Sequence, residues 1–222
     1  METSSRLFAL NAISGGTWQL SEAIFAGFAG ALGVGVGFAL GGLAGAFIVG
    51  AAMLLKPAVT GALDQAAMGD DFGSRFLGFL SFAIKFASSP VTSTIGLLIG
   101  GFGTGFGLWG DVEWFKGGVI AFEHNPGGGG FSAVTLGASV NIWQGDTDHD
   151  LFAHELYHSR QYTYFGDAFI PFWLLGGVYG LISSAAAGNF QWDCFSSGNP
   201  NAGYGNPLED GAHAAERGGG CT

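Results

Sequence analysis

The sequence predicts a helix-rich α+β protein. Apolar, glycine-rich helices form an N-terminal region, residues 1–115. A smaller unit follows in residues 116–222: a β-hairpin, a helix bearing H-E-x-x-H, an apolar helix and a short helix with acidic and histidine side chains. Three observations carry this reading. Residues 23–55 contain no charge. Residues 134–142 alternate apolar with polar or small side chains. The stretch AHELYHSRQ, residues 153–161, places His154 and His158 one helical turn apart with Glu155 between them.

Composition narrows the classes. Glycine is 42 of 222 residues, charged residues are 11%, hydrophobic residues are 48% and mean hydropathy is +0.37. High hydrophobicity with few charges excludes disorder. The glycines follow no G-X-Y period, which excludes a collagen helix. What remains is a membrane-associated chain, or helices packed through small residues. A net charge of −10, from 17 acids and 7 bases, leaves no basic patch for nucleic acid. The same charge opposes attraction to anionic lipid, so any membrane association must be hydrophobic. The first residues, METSSRLFALNAISGG, lack a basic segment followed by an apolar core, and no cleaved signal is expected. Cys194 and Cys221 either close a disulfide or stay free thiols.

Taken in order, the elements follow from their patterns. The uncharged run 23–55 exceeds the roughly 20 residues a spanning helix needs, as one tilted helix or one with a break. Within it Gly33, Gly37, Gly41 and Gly45 recur every fourth residue and line one helix face. Overlapping G-x-x-x-G units of this kind let another helix approach closely, so this strip is the expected surface for membrane contact and homo-oligomerisation. Residues 57–75 are mixed. Residues 91–109 are uncharged but diluted by glycine, a weaker candidate for a re-entrant or interfacial segment. Residues 168–192 form a third uncharged run, with Pro171 near its start. Lys56, Arg75 and Lys85 bias the stretch after the first run toward the cytoplasm, but nearby aspartates offset them and the topology stays open.

Residues 117–124 and 132–143 read as strands joined by the glycine-rich loop NPGGGGF. Val134, Leu136, Ala138, Val140 and Ile142 alternate with Thr135, Gly137, Ser139 and Asn141, which predicts a hairpin with one apolar face.

Asp146, Thr147 and Asp148 form an N-cap cluster before Leu151, and Gly166 stands at a C-cap position, so the intervening segment is a helix of about four turns. On it His154 and His158 point the same way, and Glu155 stands next to them. Two imidazoles and an adjacent carboxylate suit a zinc ion with a base for its bound water. The bland alternative is a chance meeting on a helix face. Zinc needs a third protein ligand. The downstream donors are Asp167, Asp193, Cys194, Glu209, Asp210, His213, Glu216 and Cys221. Gln161 and Tyr164 stand where the metzincin pattern needs glycine and a ligand, which excludes that pattern. In GNPLEDGAHAAE, Asn206 reads as N-cap, Pro207 as the first helical residue and Glu209 as the third, with Glu209, His213 and Glu216 on one face. Glu209 is either a ligand or the closing half of a capping box, and His213 competes with it.

The segment HELYHSRQYTYFGDAFIPFWLL, the later NPLEDGA and the upstream Thr135-Leu136-Gly137 together resemble the gluzincin class of metallopeptidase-like proteins. The likeness is to bacterial members with H-E-x-x-H-x-x-Q, an apolar helix and N-P-x-E-x-x-A, and it spans roughly residues 130–217. It implies a zincin-like unit in which Zn2+ is held by His154, His158 and Glu209, and Glu155 is the general base. A second shell or oxyanion donor would come from Gln161, Tyr162 or His213, with Tyr157 and Tyr164 also available. It implies a peptide or protein substrate, which could add to the strand at 132–143, and a membrane-associated bacterial protein. Gly211 departs from the pattern, which carries a charged residue there, and is expected to loosen the ligand helix. The contrasting expectation is a glycine-zipper protein, of toxin or effector type, that inserts into bilayers and keeps a structural or vestigial zinc site.

Overall fold

The computed structural model describes residues 20–106, 111–123, 133–142, 149–199 and 204–216. The chain is helix-rich α+β, with a four-stranded mixed sheet. The N-cap cluster at 146–148, Cys221 and the side chain of Glu216 lie outside the described residues.

Helix α1, Leu20–Ala66, is broken at Gly41 and Gly42, where Gly42 has φ 60° and ψ −148°. Only glycine enters that region freely. The break reverses the chain. A Cβ on Gly45 would strike the carbonyl oxygen of Gly37, and one on Gly50 would touch Val34. Residues 37 and 45 would stand about 12 Å apart along a straight helix, so these contacts require two antiparallel arms. Gly37 and Gly45 therefore face each other within one chain. Beside the break the arms are apolar and open: Leu40, Leu43 and Phe47 are all more than three-quarters exposed. A bulky side chain at 45 has no room between the arms. In a Gly45→Leu variant the distance between spin labels at Phe38 and Phe47 should lengthen, as read by pulsed electron resonance.

Helix α2, Phe72–Ser88, starts at Asp71, whose carboxylate accepts the Ser74 N–H at 3.1 Å. Helix α3, Pro90–Gly105, starts with proline. Its N-terminal N–H groups are met from far along the chain: Asp167 accepts from Thr92 N at 2.8 Å and Val91 N at 3.3 Å.

The sheet order is β1 (Asp111–Trp114), β2 (Ile120–Glu123), β4 (Ser139–Ile142), β3 (Ala133–Leu136), with β2 and β4 parallel and the outer pairs antiparallel. The expected single strand over 132–143 is instead two strands joined by a turn at Gly137 and Ala138. Gly137 has φ 65°, and a Cβ there would clash with Ser93. The turn also divides the apolar set. Thr135 pairs with Val140 and Val134 with Asn141, so paired residues share a face. Val140 and Ile142 therefore face one way with Thr135, and Val134 and Leu136 face the other way with Ser139 and Asn141. Both faces are covered. Helix α3 lies on one, with Gly96 over Leu136 and Ser139 and Gly100 over Phe122. Helix α4, His149–Phe165, lies on the other, where Phe152 and Leu156 join Val119, Ala121, Val140 and Ile142 in the core. The single apolar face expected of this hairpin is thus replaced by a sheet buried between two helix layers.

Helix α5, Phe169–Ala186, follows α4 after a short 3-10 turn, Gly166–Ala168. It buries Gly176, Gly177 and Gly180 against the segment that carries Cys194 and Asn206, and it exposes Leu174, Leu175, Val178, Tyr179 and Ile182. Cys194 is buried and disulfide-bonded. The short strands β5 (Gly198–Asn199) and β6 (Tyr204–Gly205) precede helix α6, Asp210–Glu216.

A buried ionic junction ties the N-terminal helices to α4. Asp64 binds Lys85 at 2.9 Å and Arg160 at 3.1 Å and accepts the Ser81 hydroxyl at 2.5 Å. Lys85 is fully buried and also donates to the Gly117 carbonyl. It is thus an internal charge of α2 and not a loop charge.

Among the described residues, two helical stretches are long and apolar enough to cross a membrane, Gly37–Ala66 and Leu151–Ala186. The first contains the reversal at 41–42, yet residues 43–66 alone extend about 36 Å. The second joins α4 to α5, and its continuously apolar part is α5. Helices α2 and α3 meet the same test as a pair bent by 118°.

Candidate metal centre

Helix α4 presses Phe152 and Leu156 against the sheet. That seating turns positions 154 and 158, about 200° around the helix axis from 152 and 156, toward the C-terminal segment. Glu209 arrives there just before α6. The atoms His154 Nε2, His158 Nε2 and Glu209 Oε2 form a triangle with sides of 3.0, 3.2 and 3.3 Å. All three residues are buried.

This triangle fits a small divalent cation. Tetrahedral bonds of roughly 2.0–2.1 Å put neighbouring ligand atoms about 3.3 Å apart. The hydrogen-bond pattern also favours a cation. The Gln161 side-chain N–H donates to the Leu208 carbonyl at 2.8 Å, so its oxygen faces His158 Nδ1, also at 2.8 Å. That oxygen must accept, which leaves the proton of His158 on Nδ1 and the lone pair of Nε2 pointing at Glu209 and His154. Burial alone would raise the Glu209 carboxyl. Where the facing imidazoles carry protons in place of a cation, their charge, His158 foremost, overcomes it and holds the group well below the usual carboxylate range. His154, His158 and Glu209 together can hold a metal ion.

The capping-box alternative for Glu209 is not realised. The Asn206 N–H that such a box would use donates instead to the Ser197 carbonyl at 3.0 Å. Asn206 does shape the turn, because its side-chain oxygen accepts the Leu208 N–H at 3.1 Å. The two Glu209 oxygens divide their partners: Oε2 faces the imidazoles and Oε1 accepts the Trp173 indole N–H.

Glu155 is buried beside this group, and its Oε2 accepts the Thr135 hydroxyl at 2.6 Å. The Tyr162 hydroxyl reaches the Thr135 carbonyl at 3.4 Å, and its ring packs on Phe169. His213 stands edge-on to His154, with ring centroids 4.9 Å apart. Tyr157 packs over Gly211, where a Cβ would collide with the Tyr157 hydroxyl. The glycine expected to loosen the ligand helix thus gives α6 its close seat on α4. Tyr164 lies at the edge of the Tyr162–Phe169 cluster.

The remaining candidate ligands among the described side chains lie elsewhere. Asp167 caps α3, Cys194 is in its disulfide, Asp193 is exposed, and Asp210 packs beside Gly198. Two participants have no counterpart among the residues expected from sequence. Trp173 sits inside an apolar run, where nothing local marks a polar role. Thr135 is visible only as part of Thr-Leu-Gly, and its tie to Glu155 spans twenty residues. Compared with known proteins, the chain matches no family model, no curated protein and no solved structure.

Proposed function

We propose that this chain is a membrane-associated zinc metallopeptidase of gluzincin type, built on a zincin-like unit. The observation that supports it most is the 3.0–3.3 Å triangle of two imidazole nitrogens and one carboxylate oxygen with Glu155 buried beside it. Two histidines and one glutamate are a ligand set of catalytic zinc sites that keep a fourth position open. Zinc, when bound, supplies a Lewis acid and a water acidic enough to lose its proton near neutrality. Glu155 would act as the general base: its carboxylate would take a proton from water as the water oxygen bonds to the peptide carbonyl carbon, and would return it to the amine nitrogen as the C–N bond breaks. Thr135 fixes the Glu155 carboxylate, and Gln161 fixes the His158 ring. Among the oxyanion donors considered, His213 is the better placed, because the Tyr162 hydroxyl is engaged by Thr135.

The membrane part rests on the open apolar faces of the α1 hairpin and of α2, α3 and α5. The test uses the full chain in lipid nanodiscs. Wild-type protein should carry stoichiometric zinc and cleave a casein-type substrate in a chelator-sensitive way, and His154→Ala should lose both metal and cleavage. Cleavage that survives chelation, or protein that binds no zinc, refutes the reading. A second reading is favoured by the α1 hairpin, whose tip exposes Leu40 and Leu43: a bilayer-inserting protein with a structural zinc. Vesicle leakage by a zinc-loaded protein that cleaves nothing would favour it.

A further inference from the structure

We propose that Trp173 is a positioning residue of the metal centre, which holds Glu209 as a one-oxygen ligand. The proposal rests on the zinc-site reading above and extends it to a residue of the apolar helix α5. The indole N–H of Trp173 donates to Glu209 Oε1, while Glu209 Oε2 is the oxygen within 3.3 Å of both imidazoles. A carboxylate can bind a cation through one oxygen or both. With Oε1 engaged by the indole, only Oε2 is offered, and the position a second oxygen would fill stays open for solvent or substrate. The indole also meets part of the hydrogen-bonding need of a buried carboxylate.

The same residue sets the ligand's backbone. The Trp173 carbonyl accepts the Asn206 side-chain N–H at 3.2 Å, and the Asn206 oxygen accepts the Leu208 N–H at 3.1 Å. Gly176, one turn further along α5, leaves room for that Asn206 oxygen. Trp173 thus grips the 206–209 turn at both ends. Its ring stands edge-on to Phe195, 5.5 Å between centroids, which limits its rotation.

The test compares wild type with Trp173→Phe in the full chain in nanodiscs. Phenylalanine keeps an aromatic ring beside Phe195 and removes the N–H. Zinc affinity should fall by roughly 10- to 100-fold, the usual loss for a partner of a metal ligand. The visible spectrum of the cobalt-substituted protein should change as Glu209 becomes free to bind through both oxygens, while the far-ultraviolet circular dichroism stays the same. Unchanged affinity and an unchanged cobalt spectrum in Trp173→Phe overturn the proposal and leave the zinc site standing. A wild-type chain that binds no zinc overturns both. Should Trp173→Phe not accumulate, 5-fluorotryptophan labelling of the wild type decides. One of six tryptophan resonances should shift on adding zinc, and no shift refutes the proposal.

Discussion

Glu155→Gln is expected to abolish peptide hydrolysis while leaving the metal bound. Glutamine matches glutamate in shape and keeps a carbonyl oxygen for the Thr135 hydroxyl, now 2.6 Å from the carboxylate. It cannot take up a proton at neutral pH. Loss of general-base action typically costs 10²- to 10⁴-fold, roughly 3–5 kcal/mol in the barrier. Glu155 is outside the His154–His158–Glu209 triangle, so zinc content should be unchanged. The measurement pairs kcat on a peptide substrate with metal content of the same sample. Retained turnover would remove Glu155 from the mechanism.

Asp64→Asn is expected to produce the largest loss of stability. Asp64 is the shared counter-charge of Lys85, fully buried, and Arg160, mostly buried. Removing one partner of a buried ionic group leaves an uncompensated charge and typically costs about 3–5 kcal/mol. By contrast Arg75, which pairs with exposed Asp70 and with Glu113, should contribute no more than about 1 kcal/mol from each of these pairs. Thermal melting followed by circular dichroism checks both. Adding Lys85→Met to Asp64→Asn should recover part of the loss, because it removes one stranded cation. If the double variant melts no higher than the single one, shape at this junction matters more than charge. The junction joins α1 and α2 to the helix that carries both histidines, so Asp64→Asn should also weaken metal binding.

The sequence made the local parts of the site legible and hid the distant ones. His154, Glu155, His158 and Gln161 lie within two turns of one helix, where spacing fixes direction. Glu209 stands in the sequence as one of several downstream donors, and only the resemblance singles it out from His213. Its two rival readings, ligand and cap, separate only once the Asn206 N–H is seen on Ser197. Trp173 and Thr135 act across 36 and 20 residues, beyond any periodic signal. The strand expected over 132–143 failed for a definite reason. A two-residue turn preserves the alternation of the sequence while it exchanges the faces of the sheet. The four-residue glycine spacing in α1 was equally silent, because it suits a second chain and the returning arm of the same chain alike. From sequence Lys85 is one of three basic residues that follow the first apolar run. Its meaning came from Asp64, one helix earlier.

The reversal at Gly42 has a consequence for sidedness. An antiparallel pair of arms brings the backbone back to where it set out. If the pair is embedded in a bilayer, the chain entering at Leu20 and the chain departing at Ala66 share one compartment. The half that carries His154, His158 and Glu209 then needs no passage through the lipid to stand beside Leu20.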